Sequence, residues 1–184
     1  MSFIDSRFGT WRGAVRLGLS YAERLTGQAA IRATGPAPVE RIVFVCQGNI
    51  CRSAFAERLA RDMGLPVASF GLATTTGVPA DPAAARAALA LGVDLDRHRT
   101  TARADFVIQA GDLLLAMETR QLRRIAADAG LAPLRRDLLG SWAQPPVPHL
   151  HDPFQLSDAY FLTCFRRIQS AVEALATDFS DLRV

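Results

Sequence analysis

A cysteine, an arginine and a serine stand at Cys46, Arg52 and Ser53, with Gln47-Gly48-Asn49-Ile50-Cys51 between the first two. The guanidinium of Arg52 is a planar fork that can hold two oxygens of a phosphate at once. Gly48 can take backbone angles that other residues avoid, and Asn49 tolerates the left-handed region. Successive backbone N–H groups of this turn can therefore converge as a nest for an anion. A cysteine at the mouth of such a nest is favoured as the thiolate, which is its nucleophilic form. Ser53 can donate a hydroxyl hydrogen bond to that sulfur, first as it attacks and later as it leaves. The chemistry on offer is nucleophilic displacement on a bound oxyanion. The competing reading, a buried structural cysteine, accounts for Cys46 but not for the ordered set around it.

Such a loop needs a rigid strand before it and a helix after it. Arg41 to Val45 is a β-branched and aromatic run suited to a strand buried on both faces, while Ala54, Phe55, Leu59 and Met63 follow at helical spacing, so that the helix N-terminus adds its positive end to the nest. Val67-Ala68-Ser69-Phe70 reads as a second short strand. Asp81-Pro82 opens a helix, Pro82 to Leu91, closed by Gly92. The apolar run 113–117 suits another buried strand, followed by a helix from Glu118 to Ala129. Residues 138–142 read as a last short strand or extended piece, and Ser157 caps a final amphipathic helix to Thr177. This alternation predicts an α/β fold: one doubly wound domain with a parallel sheet of about four strands and helices on both faces. Ligands of such a fold bind at the carboxyl ends of the strands, where Cys46 stands.

Between the last strand and the last helix, Pro145-Pro146-Val147-Pro148 forms a stiff loop that delivers His151-Asp152-Pro153-Phe154. Pro153 restricts Asp152 to extended geometry, which directs its carboxyl group. Taken alone Asp-Pro is a common turn signal, and Asp81-Pro82 is a second instance in this chain.

Cys46-Gln47-Gly48-Asn49-Ile50-Cys51-Arg52-Ser53 resembles the active-site signature of the low-molecular-weight protein tyrosine phosphatase family. Gly92-Val93-Asp94-Leu95-Asp96-Arg97-His98-Arg99 is similar to a second family stretch, and Asp152-Pro153-Phe154 to its acid motif before the final helix. The resemblance implies that Cys46 is the nucleophile, Arg52 the phosphate clamp and Asp152 the acid that protonates a phenolic leaving group. It also implies that Ser53 partners the thiolate, that Ser69 and His98 support the loop through Asn49, and that Gln47, Gly48, Asn49, Ile50, Cys51, Ser53 and Phe154 surround the substrate. The activity implied is hydrolysis of protein phosphotyrosine through a cysteinyl-phosphate, with no metal and no cofactor. The substrate implied by bacterial relatives is a tyrosine kinase of exopolysaccharide synthesis. Cys51 is placed either to form a reversible disulfide with Cys46 or simply to pack, while Cys164 belongs to the last helix's apolar stripe. The chain departs from the family at Ala54, at Phe154-Gln155 and at Met117-Glu118, where a proline, a tyrosine-rich pair and a methionine-aspartate pair are common.

At 184 residues and 49% hydrophobic, the chain can bury a full core. It lacks an apolar run near the ~20 residues of a membrane span and an N-terminal signal pattern, so a cytoplasmic location is expected. Three cysteines make no disulfide framework, and a nucleophilic thiol fits a reducing compartment. All 21 basic residues are arginine and the net charge is only +3, spread without a basic stripe, so nucleic acid is not an expected partner. The domain is placed at 40–184 and an N-terminal extension, helix plus linker, at 1–39. Trp11, Val15, Gly18, Ala22 and Leu25 share one face of that helix. The preferred reading packs the helix on the domain or leaves it poorly ordered; binding of a partner or a membrane surface is the alternative. Other functions weighed are an arsenate reductase, for which the relay cysteines between Cys51 and Cys164 are missing, and a phosphoarginine phosphatase, disfavoured by Ile50 where threonine is usual. A third is a non-catalytic phosphate-binding module, which would need neither thiolate nor acid.

Overall fold

The computed structural model describes residues 3–183. Its centre is a four-stranded, all-parallel sheet of β1 (Arg41–Cys46), β2 (Val67–Gly71), β3 (Asp112–Ala116) and β4 (Arg135–Leu138), in the order β2-β1-β3-β4. The side-chain period of two divides the central strands between two cores. Ile42, Phe44, Leu113 and Leu115 face α3 (Arg52–Asp62), α4 (Pro82–Leu89) and α6 (Asp158–Asp178). Val43, Val45, Leu114 and Ala116 face the other way, against Leu122 and Ile125 of α5 (Thr119–Ala127). Both faces are covered, which is why β1 and β3 are apolar throughout their centres instead of alternating. Helices α3 and α6 are locked together by Phe55 stacked on Phe165, with ring centroids 4.2 Å apart. Residue propensity sets the caps: Asp81 accepts hydrogen bonds from Ala83 N and Ala84 N, and Ser157 from Tyr160 N.

The last strand lies earlier than its apolar signal suggested. Residues 135–138 pair with β3, whereas 139–141 form a 3₁₀ turn. As an edge strand β4 is only half buried, so its sequence, Arg-Arg-Asp-Leu, carries little hydrophobic signal. The apolar residues after it are instead folded back: Val147 N donates to Gly140 O at 2.8 Å, and a Cβ on Gly140 would fall 1.8 Å from Val147 O. This contact sets where the proline-rich loop begins.

The N-terminal segment adds α1 (Phe3–Phe8) and α2 (Trp11–Leu25), the latter capped by Thr10 accepting from Gly13 N. A single antiparallel bridge between Arg32 and Arg136 continues it onto the free edge of β4. Helix α2 does pack on the domain, but not through its apolar face. Gly13 and Ser20 are buried, Tyr21 donates to Pro146 O, Arg24 donates to Ser141 Oγ at 2.5 Å, and Glu23 pairs with Arg123 at 2.7 Å. The stripe of Trp11, Val15, Gly18, Ala22 and Leu25 is turned to solvent. The side of α2 that meets the domain presents Leu17 to the core, with small and polar side chains bonding to the proline-rich loop and α5 around it. Among the described residues no helix is long and apolar enough to cross a membrane.

Candidate active site

The carboxyl end of β1 delivers Cys46 to a tight loop, and α3 begins at Arg52 on its far side. The left-handed residue of the loop is Asn49, at φ 56°, while Gly48 needs no positive φ, contrary to its expected role. The glycine that the loop requires comes from β2: a Cβ on Gly71 would lie 3.0 Å from Gly48 C and 3.1 Å from Asn49 Cβ. Cys46 Sγ accepts a hydrogen bond from Asn49 N at 3.2 Å and lies 3.0 Å from Ser53 Oγ. Asn49 is the hub. Its side-chain amide donates to Ser53 Oγ at 2.8 Å and to Ser69 Oγ at 2.7 Å, and its Oδ1 accepts from Thr101 N at 2.8 Å, which fixes the orientation of the amide. Since Ser53 Oγ already accepts from Asn49, its own proton is available to a thiolate at Cys46. His98 Nε2 is 2.7 Å from Asn49 O, and because a carbonyl only accepts, that nitrogen carries the proton.

Arg52 is 1% exposed and surrounded by carboxylates. Nη1 donates to Glu118 Oε1 at 2.5 Å and to Leu150 O at 2.9 Å, and Nη2 is 2.6 Å from Asp152 Oδ2. Its Nε–H is buried with no acceptor among the described residues, an orphan donor at the side from which a forked anion would be held. Burial alone would lower the affinity of Arg52 for its proton, but Asp152 and Glu118 outweigh it and hold the guanidinium firmly charged. Burial likewise would raise Glu118, yet the charge of Arg52 brings its carboxyl down to about 2. Arg120 Nε stands 2.5 Å from Glu118 Oε2, an ion pair poorly aligned for a hydrogen bond. Asp152 is one-third exposed, and its other oxygen accepts from Phe154 N at 3.3 Å, so the turn across Pro153 holds one carboxylate oxygen and Arg52 the other. Cys46, Gln47, Gly48, Ile50, Cys51, Arg52, Asp152 and Phe154 line one cavity of about 180 Å³.

A phosphate-sized pocket over a cysteine, with an arginine and an aspartate on its walls, is a site for phosphoryl chemistry. Residues 41–183 match the family model described as low molecular weight phosphotyrosine protein phosphatase. The chain belongs to that family. Its enzyme class is thus protein-tyrosine-phosphatase. It is 39% identical over 127 residues to the low molecular weight protein-tyrosine-phosphatase Wzb of Salmonella typhi, covering 65% of this chain and 81% of the relative. With the probable low molecular weight protein-tyrosine-phosphatase EpsP of Ralstonia solanacearum it shares 37% over 91 residues, 48% of this chain and 63% of the relative. The crystal structure of the tyrosine phosphatase Wzb from Escherichia coli K30 with sulphate superposes with a TM-score of 0.66 at 30% identity, over 77% of this chain and 99% of that one.

Within the phosphatase pocket the residues named from sequence divide into two groups. Gln47, Gly48, Ile50, Cys51 and Phe154 line the cavity, Gln47 being held by Arg124 Nη1 at 2.7 Å and Phe154 standing 44% exposed at the rim. Asn49, Ser53, Ser69 and His98 do not line the cavity; Asn49 and Ser53 reach it only through Cys46 Sγ, and Ser69 and His98 support Asn49 from behind. Cys51 is buried, and that burial pushes its thiol well above the ordinary range; Cys164 lies in the α6 core, where burial raises it to about 12. All three cysteines are free. Three supporting groups were not singled out as site residues from sequence. Glu118, directly after the apolar run of β3, could have been found as an acid at a strand's carboxyl end. Glu57, which accepts from Ser69 Oγ at 2.5 Å, and His149, buried beside Glu118 and brought by burial down to about 4, leave no such signal.

Proposed function

We propose that this protein hydrolyses phosphotyrosine in two displacements at phosphorus, with Cys46 as nucleophile. The thiolate attacks phosphorus and the bond to the phenolic oxygen breaks, leaving a cysteinyl-phosphate. Asp152 gives its proton to the departing oxygen, which is needed because phenol, at a pKa of about 10, leaves poorly near neutral pH. Asp152 then takes a proton from water as that water attacks phosphorus; inorganic phosphate leaves and the Cys46 sulfur recovers its electron pair. Charge developing on the transferring group is met by Arg52 and by the N–H groups of the loop. Ser53 stabilises the sulfur in both steps, and Ser69 and His98 keep Asn49 in its left-handed conformation. The observation that carries this reading is the convergence of Cys46, Arg52 and Asp152 on one 180 Å³ cavity, with Arg52 to Asp152 at 2.6 Å.

Ile50 in the wall and Phe154 at the rim favour an aryl phosphate over phosphoarginine. We take 40–184 as the phosphatase domain and 1–39 as its extension, and place the protein in the cytoplasm, where a catalytic thiol stays reduced. The substrate we favour is a phosphotyrosine protein, a tyrosine kinase of exopolysaccharide synthesis being the candidate that the family resemblance supplies. The test is phosphate release from phosphotyrosine, phosphoserine and phosphoarginine peptides. Tyrosine-selective release, abolished in Cys46→Ser and reduced roughly 10²–10⁴-fold in Asp152→Ala, is expected. Equal activity of Cys46→Ser, or selective release from phosphoarginine, overturns the reading.

A further inference from the structure

The surface of α2 carries a pattern that the phosphatase reading does not use. Trp11, Val15, Leu19 and Leu25 are 64, 49, 54 and 87% exposed, and with Gly18 and Ala22 they form one uninterrupted outward face. A helix docked on a globular domain normally buries such a stripe. Here the opposite side, with Gly13 and Ser20, is the buried one. Arg12 and Arg16 flank the outward face and are exposed, while the acid of this helix, Glu23, is turned inward to Arg123. The charge is just as lopsided. Arg7, Arg12, Arg16, Arg24 and Arg32 against Asp5 and Glu23 give residues 1–39 a net +3, which is the net charge of the entire chain, so 40–184 sums to zero.

We propose that α2 lies in the surface of an anionic lipid bilayer, with Trp11, Val15, Leu19 and Leu25 in the acyl boundary and Arg12 and Arg16 at the phosphates. An indole at the edge of an apolar face suits the interface between headgroups and chains, and arginine stems can lie along that boundary while their heads reach the phosphates. Charge complementarity decides for lipid. Exposed arginines here border an exposed apolar face, a combination that matches a negative leaflet, whereas in a face-to-face pairing of two such helices the like charges would oppose each other. The domain's packing leaves the face free, since α2 is held from behind through Tyr21, Glu23 and Arg24.

The experiment is co-sedimentation of the full chain with vesicles of phosphatidylcholine alone or mixed with phosphatidylglycerol, which reads binding without reference to catalysis. Binding to the mixed vesicles is expected to be roughly thirtyfold tighter, from two arginines at the interface, and to weaken with added salt. In a Trp142→Phe background, Trp11 emission should shift to the blue on binding. Trp11→Ser/Val15→Ser/Leu19→Ser should lose binding to both vesicles, and Arg12→Gln/Arg16→Gln should lose the preference for the anionic ones. Because these side chains point outward, both variants should keep the parent unfolding temperature, so that lost binding is not lost folding. Absence of binding to mixed vesicles, or full binding by the apolar triple variant, overturns the proposal. So does a dimer by analytical ultracentrifugation that the triple variant dissolves, which would assign the face to a second copy.

Discussion

Replacing Glu118 by glutamine tests whether this buried carboxylate holds the phosphate clamp in place. Glu118 precedes α5 but does not cap it; its side chain is turned instead to Arg52 Nη1, at 2.5 Å. Its carboxyl is held at about 2 against an ordinary 4.5. At ~1.4 kcal/mol for each tenfold change in proton affinity, this corresponds to about 3 kcal/mol of favourable interaction with its surroundings. Glutamine keeps the shape and one acceptor, but turns an NH₂ toward donors of Arg52 or Arg120, so Glu118→Gln should lose about 2–3 kcal/mol of stability at neutral pH. Glu118→Asp keeps the charge and should recover part of this. Because the folded carboxyl is depressed, its contribution is complete above pH 4.5 and is lost as pH falls toward 2. Urea unfolding should therefore show a constant gap between the wild type and Glu118→Gln from pH 8 to 5 that closes in acid. With Arg52 no longer aimed, competitive inhibition by inorganic phosphate should weaken about tenfold or more. A Glu118→Gln protein within about 0.5 kcal/mol of the wild type at pH 7, with unchanged phosphate affinity, would refute the reasoning.

The remaining predictions concern the groups around this pair. His149, 4% exposed, is brought by burial from 6.5 down to about 4, so the folded state is stabilised above pH 6.5 and loses that stabilisation as pH falls toward 4. His149→Gln should flatten the slope of urea midpoint against pH between 6.5 and 4.5, and an unchanged slope would count against it. Gly71→Ala would place a Cβ 2.7 Å from Thr74 Cγ2 and 3.0 Å from Gly48 C. It should cost about 1–3 kcal/mol in thermal unfolding and weaken inhibition by phosphate, whereas full phosphate affinity would argue that the loop does not lean on β2. Gly13→Leu would drive a side chain into Phe8 O, at 2.2 Å, and His151 Cδ2, at 2.9 Å, prising α2 from the loop that carries Asp152. Its kcat should fall more for aryl phosphates with poor leaving groups than for those with good ones; an equal loss for both would place the effect elsewhere.

The parts of this protein that can be read from sequence are those whose physics is local. A strand buried on both faces must be apolar throughout, so β1 and β3 announce themselves; a cap must accept from nearby N–H groups, so Asp81 and Ser157 mark their helices. What escapes is set by partners far away in the chain. Strand β4 is recognisable only by its pairing with β3, since Arg135 and Arg136 carry no strand signal. Gly48 looked like the loop's flexible residue because glycine commonly fills that role, but Asn49 takes the left-handed conformation. It does so at reduced cost because its amide is bonded to Ser53, Ser69 and Thr101, residues 4, 20 and 52 positions distant. The apolar periodicity of α2 was likewise legible, but periodicity reports that a face exists and not which way it points.

The clamp, the acid and the buried carboxylate form one electrostatic unit. At rest Arg52 is shared between Glu118, at 2.5 Å, and Asp152, at 2.6 Å. Glu118 is buried and held ionised, whereas Asp152 stands on a loop and is one-third exposed, so only one of the two can readily give way. A phosphate group brings about two negative charges to a place where the single charge of Arg52 already faces two carboxylates. In the proposed mechanism Arg52 stands beside Asp152 both as the ester bond breaks and as the carboxylate serves as base. On that proposal Glu118 holds the guanidinium through both steps, and the exposure difference between the two acids suits the buried one to structure and the more open one to proton transfer.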